Sequence, residues 1–116
     1  MGTYDKEIRE ILYRLGVNST YLGFSYVMDC VGMVLEYEER RYSMKALYID
    51  AARIHKTTDR CVERDIRNLV KTVWKSGNRK YLEEIAGAEL KERPKNKYFI
   101  GILADYVKEK ADNAPV

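Results

Sequence analysis

At 116 residues and a formal net charge of +3, the chain is long enough for one domain (1–116) with a modest core. Its two prolines, Pro94 and Pro115, and the scarcity of strand-like alternation argue for an all-α protein without repeats or low-complexity tracts. The two cysteines, Cys30 and Cys61, fit a reducing cytoplasm and no disulfide framework. The charged, periodic N-terminus does not read as a secretory leader. No apolar segment is long or unbroken enough to span a bilayer, so no membrane partner is expected.

Six helices are expected in chain order. The first runs from about Tyr4 to Leu15, with Ile8, Ile11, Leu12 and Leu15 on one face and Gly16 as its stop. The second runs from about Thr20 to Tyr37 and carries Leu22, Tyr26, Val27, Cys30, Val31 and Val34. The run Glu36, Glu38, Glu39, Arg40, Arg41 closes it and leads into a turn.

The third and fourth helices occupy Lys45 to Lys75 and read as helix, tight turn, helix. Leu47, Ala51, Ala52 and Ile54 give the supporting helix its apolar stripe. Thr57 and Thr58 are candidate N-caps, because a hydroxyl can accept from the unpaired N–H groups of a first turn. Beyond them Val62, Ile66, Leu69, Val70 and Val73 define a core face, while Arg60, Glu63, Arg64, Arg67 and Lys71 recur on another face. The pair ends near Gly77. A short fifth helix covers about Arg79 to Ala86. After the basic loop Lys91 to Lys97, the last helix begins at Asn96 as N-cap and runs to about Lys110, with Phe99, Ile100, Leu103 and Val107 inward. Residues 111–116 read as a frayed tail.

Charge is concentrated. Between Arg53 and Lys80 nine Lys/Arg face three Asp/Glu, a local balance of +6 that leaves −3 for the rest. With the helix pairing, this is the footprint of a phosphate-binding face rather than general basicity. Alone it would describe a solvated helix with pairs such as Glu63 to Arg67. No His–carboxylate, Cys–His or Ser–His arrangement and no glycine-rich phosphate loop is visible, so no catalytic residue, metal or cofactor is expected. His55, the only histidine, reads as a core or hydrogen-bonded residue and Cys61 as a partly buried thiol. Tyr42 and Tyr48 are candidate phosphate donors, whereas Tyr26 and Tyr106 read as core-edge residues. Lys91, Arg93, Lys95 and Lys97 suit a loop that grips phosphates or is simply soluble.

Several local patterns resemble one known family. Leu15-Gly-Val17 is followed by Gly23, Tyr26 and Val31-Gly-Met-Val34. KALYIDAA from Lys45 resembles the family's KxLYPDIA. TTxxxVERxIR at Thr57 to Arg67 resembles its recognition helix, WxxGN at Trp74 to Asn78 the end of that helix, and RPKNKYFIGILAD at Arg93 to Asp105 its last loop and helix. The order and spacing of these patterns over about Glu7 to Lys110 resemble the C-terminal DNA-binding effector domain of the sporulation-initiation response regulator of endospore-forming bacteria. The resemblance implies a six-helix bundle-like domain containing a helix-turn-helix, with the helix at about 58–75 in the major groove of a TGTCGAA-like box. It also implies double-stranded DNA as partner, tandem head-to-tail binding of two copies, and contact with an RNA polymerase sigma factor. Glu63 and Arg64 match the family's base-reading positions and Arg67 a backbone-contact position. The pairing chemistry agrees: Arg suits guanine and a carboxylate suits cytosine N4. Arg60 joins the base-reading set, and Lys71, Thr58, Lys56 and Lys95 the backbone set.

The chain departs from that pattern at defined places. Arg60-Cys61 stands where the family has Ser-Arg, which displaces the arginine by one residue, about 100° around a helix. Asn68 replaces His, Lys56 replaces an Asn suited to left-handed backbone, Ile49 replaces Pro, and His55 takes an aromatic core position. The phospho-receiver domain of the full-length regulator has no counterpart in this sequence, which suits either an excised effector domain or a stand-alone relative; a free domain is expected to bind DNA constitutively. An alternative is a protein-interaction module that keeps the fold and pairs with, or antagonises, a full-length regulator.

Overall fold

The computed structural model describes residues 2–113, and no strand occurs among them. Six α-helices follow in order: α1 (Asp5–Leu15), α2 (Phe24–Glu36), α3 (Met44–His55), α4 (Asp59–Ser76), α5 (Arg79–Ala86) and α6 (Asn96–Asp112). A 3-10 segment, Glu38–Tyr42, connects α2 to α3. All six helices contribute to one cluster of buried apolar side chains, with Ile8, Leu12, Val27, Leu47, Ile66, Leu82 and Phe99 among its centres. The amphipathic stripes account for this, since each helix turns its apolar face onto its neighbours and hides it from water.

Glycine and asparagine set the corners. Gly16 ends α1 in the left-handed region at φ 98°. At Gly77 an added Cβ would lie 2.4 Å from the Leu15 carbonyl, so only glycine lets the end of α4 approach the end of α1. The next residue joins both elements: the Asn78 N–H donates to the Leu15 carbonyl (3.0 Å), and its side chain caps α5 by accepting from the Tyr81 N–H (3.0 Å).

The second helix starts later than its periodicity suggests. The Asn18 carboxamide accepts from the Thr20 N–H (2.9 Å) and hydroxyl (2.7 Å), and this local turn competes with helix over residues 18–22. Leu22, expected inward, is 74% exposed. Gly23 meets α4 instead, where a Cβ would lie 2.3 Å from the Asp65 carbonyl. The helix ends at Glu36 because Tyr37 turns extended, and Glu38 to Tyr42 coil as a 3-10 segment rather than a plain turn. Arg41 on that segment forks onto the Asp105 carboxylate of α6 (2.7 and 3.3 Å). Arg40 pairs with Asp50 of α3.

Two other expectations change. Ile54 is 61% exposed, so the α3 stripe rests on Leu47, Ala51 and Ala52. The last helix continues through Ala111 and Asp112, beyond Lys110. Residues 114–116 of the expected frayed tail lie outside the described residues.

Candidate nucleic-acid interface

The turn between α3 and α4 is built by one residue. Lys56 adopts φ 54° and ψ 46°, and the Ala52 carbonyl accepts from both the Lys56 and Thr57 N–H groups (2.9 Å for Thr57). A lysine carries the left-handed conformation in which Asn or Gly is commoner. Thr58 then caps α4, its hydroxyl accepting from the Cys61 N–H at 3.2 Å. Thr57, the other candidate, makes no such cap. Asp59 in the first turn complements the helix dipole.

The apolar face of α4 buries Val62, Ile66, Leu69, Val70 and Val73, as its periodicity predicts. Its other face is charged and outward. Arg60 is exposed and makes no ion pair among the described residues. The Glu63 carboxylate accepts from Arg67, Nε to Oε1 at 3.1 Å and Nη2 to Oε2 at 3.4 Å. Arg64 is exposed and donates through Nε to Asp65 (3.3 Å), which leaves its outer nitrogens for another partner. Asp65 is buried at 6% exposure, a placement that no spacing in the sequence marks. Arg60, Glu63, Arg64 and Arg67 line one shallow groove together with Lys45 and Tyr48 of α3. Lys71 lies farther along α4, half-buried and outside that groove.

A second groove runs beside the first. One wall is Glu63, Arg67 and Val70 of α4, and the other is the segment from Glu89 to Tyr98. That segment alternates: Arg93, Lys95 and Lys97 are exposed while Pro94 and Asn96 are buried. It is tied at both ends. The Leu90 N–H donates to the Glu83 carboxylate (2.7 Å), and the Leu90 carbonyl accepts from Arg79 (3.3 Å), whose guanidinium stacks on Trp74 at 3.5 Å. At the other end Asn96 Nδ2 donates to the Tyr48 hydroxyl and to the Glu63 carbonyl, both at 3.1 Å. Asn96 is therefore the first residue of α6 with its side chain turned inward, not the N-cap, a place taken by Lys95. Tyr48, read as a phosphate donor, is engaged as an acceptor, and burial pushes its hydroxyl pKa up. Tyr42 stays 71% exposed, with the Lys97 ammonium 5.1 Å above its ring. Tyr26 and Tyr106 pack at the edge of the core as expected.

The remaining titratable groups sort by burial. Burial pushes the Cys30 thiol up to about 12, whereas hydroxyls of Thr58 and then Thr57, with Arg64 behind them, hold the half-buried Cys61 thiol below its ordinary value. His55 is the hydrogen-bonded histidine rather than the core one. Its Nε2 lies 2.5 Å from Asp29 Oδ2, and Tyr26 meets the ring edge-on at 5.1 Å. Sequence spacing showed no His–carboxylate pair because the partners stand 26 residues apart. The pair joins α2 to α3, and no further hydrogen bond reaches the ring among the described residues. Burial raises the Asp29 pKa against the lowering effect of His55. Among the described residues no group of three or more His, Cys, Asp or Glu is placed to hold a metal ion, and no helix is long and apolar enough to cross a membrane.

Residues 8–107 match the family described as sporulation initiation factor Spo0A C terminal. The match covers most of the chain, so the chain belongs to that family of helical DNA-binding effector domains.

Proposed function

From that membership, we propose that the chain is a sequence-specific transcription regulator that lays α4 in the major groove of a TGTCGAA-like box. The observation that carries the reading is the outward face of α4, where Arg60, Glu63, Arg64 and Arg67 line one groove. Arg64 pairs with guanine O6 and N7 through its outer nitrogens, and Glu63 accepts from a cytosine N4. Arg67 holds the Glu63 carboxylate in place and turns its remaining donors to a phosphate. Arg60, one position from the family's arginine, reads a neighbouring base. Thr58, Lys56, Lys71 and Lys95 contact the sugar–phosphate backbone and set the register. Two copies bind tandem boxes head to tail, and the DNA-bound domain touches an RNA polymerase sigma factor. The chain acts in the cytoplasm and without catalysis.

The test is fluorescence anisotropy against a duplex carrying the box and a scrambled duplex, over a range of salt. Preference for the box supports the reading. Equal, salt-sensitive binding to both means a different operator, set by the displaced Arg60. Absence of binding to either at low salt selects the second reading, a module that keeps the fold and binds a full-length regulator. The Arg60-Cys61 order is the feature that favours that second reading.

A further inference from the structure

We infer that Asn96 is a positioning residue for the DNA contact: it fixes the cations of the loop before α6 against the recognition helix. The inference rests on the DNA-binding reading above and adds to it a device that holds two contact surfaces in one register. Asn96 has two amide hydrogens, and both are used, one on the Tyr48 hydroxyl of α3 and one on the Glu63 carbonyl of α4. Glu63 presents its side chain to the groove of α4 while its carbonyl receives this bond, so the link grips the recognition helix at a residue of its reading face. The link joins parts of the chain 33 and 48 residues apart.

The neighbours show what the link holds. Asn96 is only 9% exposed, yet Lys95 and Lys97 on either side are exposed. Pro94 is buried between exposed Arg93 and Lys95. Each inward residue therefore turns its neighbours outward, along the groove whose far wall is Glu63 and Arg67. At the other end Leu90 is tied to Glu83 and Arg79, so the intervening cations hang between two fixed points. A loop already ordered in the free protein does not lose that freedom on binding.

The test compares variants on a duplex carrying the TGTCGAA-type box, across a salt series, with thermal melts as a control for folding. Tyr48→Phe removes one acceptor without changing the ring. Asn96→Asp keeps the volume and sets a carboxylate oxygen against the Glu63 carbonyl. Arg93→Ala with Lys95→Ala removes the cations themselves, and the triple variant adds Tyr48→Phe. The cation pair should lower the slope of log affinity on log salt by about 0.9 for each phosphate no longer neutralised. Tyr48→Phe and Asn96→Asp should move the slope the same way. The triple variant should bind no more weakly than the cation pair alone, because the link acts through those cations. Additive losses would overturn the inference, as would a lower melting temperature with an unchanged slope, or cations whose removal has no effect. Asn96→Asp also adds a negative charge beside the groove and Tyr48 itself lines the α4 groove, so the comparison of Tyr48→Phe with and without the cation pair decides the matter. Failure of the unaltered chain to bind either duplex would instead defeat the DNA-binding reading, and this inference with it.

Discussion

Helix α4 and the loop before α6 form facing walls of one groove, but different forces hold them. The helix is set by a local pattern: a threonine cap, a charged face, and five apolar residues that bury themselves at helical spacing. The loop has no such pattern. It is held by a few side-chain bonds: Glu83 and Arg79 bind Leu90 from 7 and 11 residues upstream, and Asn96 reaches Glu63 and Tyr48, 33 and 48 residues away. Local periodicity thus fixes the element read as base-contacting, and side-chain bonds that no periodicity marks fix the element read as phosphate-contacting.

Substitutions should separate the two. The largest effect belongs to the core side of α4. Ile66, with no exposed surface, should cost about 2–5 kcal/mol when changed to Ala, measured by urea denaturation. A loss below about 1 kcal/mol would mean that packing does not set this helix. Next comes Gly23→Ala, which drives a Cβ to 2.3 Å from the Asp65 carbonyl. It should cost about 1–3 kcal/mol in the same assay. Thr58→Ala removes the cap of α4 and should cost about 1 kcal/mol. Glu83→Ala should change overall stability least. Its expected signature is faster hydrogen exchange at the Leu90 amide, with the amides of the α4 core as slow as before. Faster exchange throughout α4 would show that loop and helix form one cooperative unit and that the contrast is wrong.

The same contrast explains what was legible in the sequence. The helices and the charged face of α4 follow from spacing of three and four residues, and apart from the later start of α2 their positions agree closely with expectation. The left-handed position was legible through the family resemblance, since Lys56 stands where an Asn is usual. Hydrophobicity and residue preference mislead where tertiary neighbours decide the outcome. Leu22 and Ile54 fit their stripes, but no other element covers them. Asn96 has the composition of a cap, yet Tyr48 and Glu63 draw its amide inward. His55 finds Asp29 only after α2 and α3 pack. Periodicity reports which way a helix faces and is silent on what meets it.

The most direct test of the central claim sets Arg64→Ala beside Lys95→Ala. Box and scrambled duplexes are titrated with each variant over a range of salt. Arg64→Ala should lose about 1–3 kcal/mol on the box and most of the preference over the scrambled duplex. Lys95→Ala should keep that preference and lower the salt slope by about 0.9. Equal behaviour of the two variants would contradict the division between a base-reading helix and a phosphate-gripping loop.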